Sequence, residues 1–119
     1  MNWEKFRQLE EKRYNRFVAT LQECGLFLLN QDETSIGTYI FEDFDIDSRS
    51  NLYIENLKYL LENGWINDAI LQKSIQLHDK FCIMQVDFPE LWNVNAIKTA
   101  PEWYEILSLS DEIKSMLYI

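Results

Sequence analysis

Apolar side chains near the start of the chain fall at spacings of three and four: Trp3, Phe6, Leu9, Tyr14, Phe17, Val18, Leu21, Cys24 and Leu28. Glu4, Lys5, Gln8, Glu11, Lys12, Asn15 and Arg16 fill the other side. An α-helix turns once in about 3.6 residues, so this spacing lines up one apolar face and predicts a long first helix. Two ends fit the sequence: Gly25 as a left-handed cap, or continuation through Leu26-Phe27-Leu28-Leu29 to Asn30.

The same periodicity returns after residue 50. Ser50 reads as the cap of a helix through Leu52, Tyr53, Ile54, Leu57, Leu60 and Leu61, with Asn63-Gly64 as its stop. Asn67 caps the next helix, which carries Ile70, Leu71, Ser74, Leu77, His78, Phe81 and Cys82. The short link predicts an antiparallel helical hairpin with Trp65 and Ile66 tucked into its corner. Asp87-Phe88-Pro89 breaks the pattern and fits a cap and a short helical turn through Leu91 and Trp92. Thr99-Ala100-Pro101-Glu102 is a start signal: a threonine cap, a proline in the first turn and a glutamate able to reach back. Trp103, Ile106, Leu107, Ser110, Ile113 and Leu117 then share one face. Trp3 and Trp103 fall on apolar faces and are assigned to the core, whereas Trp65 and Trp92 sit near turns and are open to an interface role.

Between these halves lies Thr38-Tyr39-Ile40-Phe41-Glu42-Asp43-Phe44-Asp45-Ile46-Asp47, in which acids and large apolar groups alternate. Residues 30 to 50 otherwise suit a loop, and Asp43 to Asp47 has the period of two of a half-buried strand. Such a strand pairs with 34–40 or presents an edge to another protein. With 119 residues, 47% hydrophobic and 14% aromatic, the chain has enough apolar material for a core and fits one domain, 1–119. There is no internal repeat, low-complexity tract or linker. The expected architecture is mainly α: a single-domain bundle of four to five helices, with 34–47 as the one place for a short strand or hairpin.

Twenty acids against eleven bases give a net charge of -9. Phosphate contacts need clustered Lys and Arg, so direct nucleic-acid binding and attraction to an anionic membrane are disfavoured. A basic protein, or a basic groove that normally holds nucleic acid, is the partner this field attracts. The N-terminus opens into a charged amphipathic pattern rather than a signal peptide, and no apolar run approaches the roughly 20 residues of a membrane span. A cytoplasmic location is the expectation. Cys24 and Cys82 form neither a CxxC pair nor a disulfide framework and are expected as buried free thiols.

No constellation of residues points to catalysis, a cofactor or a metal. His78 and Cys82, four apart with Asp79 beside them, offer too few ligands for a structural zinc site, and the histidine reads as the edge of a packed face. Asp43, Asp45 and Asp47 match the first, third and fifth places of a calcium loop. However, Ser48 stands where glycine makes the turn and Ile54 where a glutamate closes the cage, with Glu55 one residue late. Glu112-Ile113-Lys114 has the spacing of a nuclease triplet but falls on a helix with Ile113 inward. The chain is therefore expected not to be an enzyme. Its candidate site is a partner-binding surface made of Tyr39, Phe41, Glu42, Asp43, Phe44, Asp45 and Asp47. There the acids steer and pair with basic groups, and Tyr39, Phe41 or Phe44 act as anchors.

A compact, acidic, cysteine-poor helical chain with phrases such as Tyr59-Leu60-Leu61-Glu62-Asn63-Gly64-Trp65-Ile66 and Glu102-Trp103-Tyr104-Glu105-Ile106-Leu107 resembles the immunity proteins of bacterial toxin systems, including contact-dependent inhibition. The resemblance implies a cytosolic protein that binds and neutralises a cognate toxin domain, often a basic nuclease. The helical colicin-nuclease immunity proteins pair acids with two adjacent tyrosines. Tyr39, Tyr53 and Tyr59 have no tyrosine neighbour, so no site residue is carried over from that family. An adaptor or regulatory interaction domain is the alternative class.

Overall fold

The first helix, α1, spans Trp3–Gln22 and is capped by Asn2, whose side chain accepts from the Lys5 N–H at 3.3 Å. These elements belong to a computed structural model that describes residues 2–117. Only the last turns of α1 bury side chains, namely Phe17, Thr20 and Leu21. The first turns project: Trp3 is 75% exposed, Phe6 52% and Leu9 51%. The assignment of Trp3 to the core is thereby corrected, because Tyr59 and Asn63, from the end of the fourth helix, border the start of α1 on one side without covering it.

Neither sequence reading of the end of α1 holds. Gly25 is extended (φ 169°, ψ 173°), and a 3₁₀ turn, Leu26–Asn30, follows it. The terminal carbonyls are satisfied from the other end of the chain. Ser110 Oγ lies 3.0 Å from Leu21 O and 2.7 Å from Cys24 O, and Lys114 Nζ donates to Cys24 O at 2.8 Å. Asp111 Oδ2 accepts from the Leu26 N–H at 3.0 Å. These are orphan groups of a helix end, and the last helix supplies their partners.

Next, α2 (Glu33–Gly37), a π-helical segment (Thr38–Phe44) and α3 (Asp45–Asn51) run on as one helix. The backbone is right-handed helical at Gly37, Thr38, Phe44 and Asp45, so no break separates the three. Asp32 caps this composite helix by accepting from the Ser35 N–H at 2.8 Å, which holds its own carboxyl below the usual range. No strand or hairpin forms in 34–47, and none occurs among the described residues.

The helix ends at Leu52, and Tyr53, in extended conformation, precedes α4 (Ile54–Glu62). Ser50 lies inside α3 rather than capping a helix. The break is held by Asn56, whose Nδ2 donates to Asn51 O at 3.0 Å. At the far end of α4, Gly64 takes φ 79° while the Trp65 N–H bonds Leu60 O and the Gly64 N–H bonds Leu61 O. This is the paired closure that favours glycine after a helix, as Asn63-Gly64 predicted.

Asn67 caps α5 (Asp68–Asp87), accepting from the Ile70 N–H at 2.8 Å. A 3₁₀ turn, Pro89–Leu91, leads to α6 (Val94–Thr99) and α7 (Pro101–Leu117). Thr99 does not cap α7. Its hydroxyl donates to Asn95 O at 2.8 Å within α6, and Ala100 occupies the junction. The described residues thus form six helical bodies rather than four to five, still mainly α. None is long and apolar enough to cross a membrane.

One contiguous core joins them. The hairpin of α4 and α5 packs as expected, with Ile66 buried and Trp65 stacked on Tyr14 at 5.2 Å. Trp103 is fully buried, meets Phe81 and Trp92 at ring distances of 6.1 and 5.8 Å, and donates from Nε1 to Leu91 O at 2.6 Å. Satisfying the indole N–H is what lets so large a side chain sit in the centre.

Candidate functional site

Ile36, Ile40, Phe44 and Ser48 are all buried, four residues apart along the composite helix. In a plain α-helix each four-residue step rotates the side chain by about 40°, so four such positions would drift off one face. The π segment corrects the drift: its wider turns close five residues back, as in the Asp45 N–H bond to Ile40 O. The apolar column therefore stays on the core. Phe44 meets Phe81 edge-on at 4.8 Å. Phe41 is half-buried against Trp92 at 4.9 Å and Trp103 at 6.2 Å, and Tyr39 meets Phe27 at 5.4 Å.

Turning these rings inward corrects part of the expected site. Phe44 has no exposed surface to offer a partner, and Tyr39 and Phe41 are engaged within the fold. The acids face the other way. Glu42 and Asp43 are exposed, Asp45 and Asp47 are half-buried, and Ile46 stands out among them at 63% exposure. Glu42, Asp43 and Ile46 are three and four residues apart and share one outward strip. Asp45 is on the flank, where Arg49 Nη2 lies 3.1 Å from its Oδ2.

The helix also disposes of the calcium-loop reading. Asp43 and Asp47 are one turn apart on the same side, but Asp45, two residues from each, points well away from both. Among the described residues no group of three or more His, Cys, Asp or Glu is arranged to hold a metal. His78 is half-buried; burial, opposed by Asp79 and a bond to Leu52, holds its pKa below the ordinary value. Cys24 is buried as expected, and burial pushes its thiol up to about 12. Cys82, expected buried, is exposed. Glu112 pairs with Lys73 at 2.7 Å, while Lys114 pairs with Asp111 at 3.0 Å, so the triplet at 112–114 is divided between separate structural contacts.

A further residue belongs to the acidic site. Glu23, at the end of α1, sits under Asp47 and Asp43 with its Oε2 enclosed and without a hydrogen-bond partner. Burial, then a hydrogen bond and repulsion from Asp47, then repulsion from Asp43, push its carboxyl up to about 9. Glu23 therefore keeps its proton at neutral pH beneath the outward acids. No local pattern marks it, because its neighbours, Asp43 and Asp47, come from twenty or more residues further along.

The chain matches no family model, no curated protein and no solved structure.

Proposed function

We propose that this protein is a stoichiometric protein-binding inhibitor of the immunity type, which neutralises a basic toxin or nuclease domain by covering its active site. The observation that carries the reading is the acidic strip of Glu42 and Asp43 flanked by Asp45 and Asp47, mounted on a helix whose opposite side is fixed in the core. A basic partner meets carboxylates that need little reordering, which favours rapid association. Ile46, exposed among the acids, supplies the apolar contact that Tyr39, Phe41 and Phe44 do not.

The test is a titration against the C-terminal domain encoded by the adjacent upstream reading frame, at low and at moderate salt. Exposed charges are screened over about 10 Å at 0.1 M, so association should slow as salt rises. One-to-one binding that abolishes the partner's toxicity supports the proposal. Absence of binding at micromolar concentration, at either salt, overturns it.

A further inference from the structure

In a chain of twenty acids and eleven bases, a cation has many carboxylates to choose from. Arg49, Lys73, Lys80 and Lys114 each take one, but Arg13 and Arg16 do not: neither guanidinium is within ion-pair distance of an acid. They stand three residues apart on α1, a spacing that puts neighbours on one side of a helix. Both line a cleft where α1 meets the end of α3 and the start of α4.

A relay of hydrogen bonds ties the walls of this cleft together. Thr20, buried near the end of α1, donates to Arg16 O at 2.7 Å and accepts from Asn51 Nδ2 at 2.8 Å. Asn51 O in turn accepts from Asn56 Nδ2 at 3.0 Å. Three elements are thereby fixed relative to one another, so a ligand would find the walls already in place. Arg13 is positioned as well, with its Cζ over the Tyr59 ring, 4.2 Å from the centre. A guanidinium stacked by its face keeps its N–H groups free at the edge, and that edge is the part that matches an oxyanion. Ser50 contributes a hydroxyl from α3, and Asn56 a second amide hydrogen from α4.

The lining holds one acid, Glu55, against the two arginines. Its local charge is therefore positive, in a protein whose net charge is -9, and positive charge with fork-shaped donors selects an anion. Two forks suit a phosphate group better than a carboxylate, because phosphate presents three or more acceptor oxygens and close to two charges near neutral pH. The cleft, about 450 Å³, also leaves room for a small organic group attached to the phosphate.

We propose that the cleft between Arg13 and Arg16 of α1 and the α3–α4 junction binds a phosphate group, free or esterified to a small molecule. The site shares no residue with the acidic strip at 42–47 and is independent of the inhibitor reading.

Amide NMR on the full chain, titrated with inorganic phosphate and separately with AMP while chloride holds the ionic strength constant, tests it. The backbone amides of Arg16, Ser50 and Asn56 should shift along saturating curves, with a dissociation constant on the order of 1 mM or tighter. Tighter binding of AMP identifies an ester as the source of the phosphate and tighter binding of inorganic phosphate the free ion; either supports the site. Arg16→Gln should weaken binding by roughly tenfold or more, and Glu55→Gln should tighten it by removing the opposing charge. Both positions are exposed, and spectra unchanged away from the cleft establish that the variants fold. The absence of saturating shifts up to about 10 mM of either probe overturns the proposal. Binding that Arg16→Gln does not weaken, or that Glu55→Gln does not tighten, places the anion elsewhere on the molecule and overturns it too.

Discussion

Glu23 lies against Asp47 where α1 meets the composite helix, and Glu23 holds its proton up to a pH of about 9. In the unfolded chain this carboxyl ionises near its ordinary value of 4.5, so folding favours the protonated form. Its contribution to stability is complete below 4.5 and is lost as pH rises towards 9. His78 acts in the opposite sense. Its lowered pKa favours the neutral form in the fold, so its contribution is lost on acidification, and the two thiols, raised from an ordinary value of 9.0, add a fall only as pH nears 9, which leaves pH 7 to 8 as the clean window for Glu23.

Glu23→Gln should flatten the fall in stability between pH 7 and 8. At pH 8 it should raise stability by on the order of 1 kcal/mol, or a few degrees in Tm, after allowance for partial exposure. Chemical denaturation at several pH values measures this. A variant with the same pH slope as the parent would show that Glu23 is ionised in the folded protein.

Gly25 is required by close approach, not by its backbone angle. A methyl group there would lie 2.5 Å from Asp111 Oδ1 and 2.8 Å from Lys114 Nζ. Those side chains are held by the Leu26 N–H and by Cys24 O, so they cannot swing aside without giving up the contacts that close α1. Gly25→Ala should cost roughly 1–3 kcal/mol by disturbing partly buried hydrogen bonds. Adding Asp111→Ala should recover part of that loss, and a simple sum of the two costs would refute the link.

The thiols should separate by accessibility. Cys24 is fully enclosed and raised to about 12, so it should be inert until the protein unfolds. Cys82 is exposed, although burial of part of the side chain, Asp79 and Asp45 raise its pKa and should slow it. A chromogenic thiol reagent should therefore find one thiol in the native protein and two in denaturant. Rapid release of two in the native state would show that the junction around Cys24 opens.

The helices most legible in the sequence are those whose signals are local. Asn67 capping α5, Asn63-Gly64 ending α4 and Trp103 in the core all follow from neighbours within a turn or two. In the central segment, Asp43-Phe44-Asp45-Ile46-Asp47 has a strand-like period of two over only five residues. The period of four in Ile36, Ile40, Phe44 and Ser48 governs the fold, and a plain α-helix would not have kept that column on one side. The acids survived as a surface feature while their interleaved rings did not. Glu23, like the closure of α1 by Ser110, Asp111 and Lys114, depends on partners remote in sequence.

Core and surface roles within the composite helix can be told apart by truncation. Phe44→Ala removes a buried ring packed on Phe81 and should cost about 3–5 kcal/mol. Ile46→Ala should stay within about 0.5 kcal/mol, because that side chain is mostly in solvent. Urea unfolding of both variants gives the comparison. Equal effects would contradict the inward turn of the π segment.

If the acidic strip engages a basic partner, the protonated Glu23 beneath it becomes a reporter. Cationic groups brought close to Asp43 and Asp47 stabilise the ionised form of Glu23, so binding should expel part of its proton between pH 7 and 8. Calorimetric titrations in buffers of different ionisation enthalpy should then give different apparent heats, and Glu23→Gln should abolish the difference. Asp43→Asn with Asp47→Asn should chiefly slow association, whereas Ile46→Ala should speed dissociation, by roughly 30-fold if it is a central contact. Unchanged rates in both variants would move the interface elsewhere on the molecule. Buffer-independent heats with altered rates would keep the interface at the strip and show that no cation comes close enough to Glu23 to displace its proton.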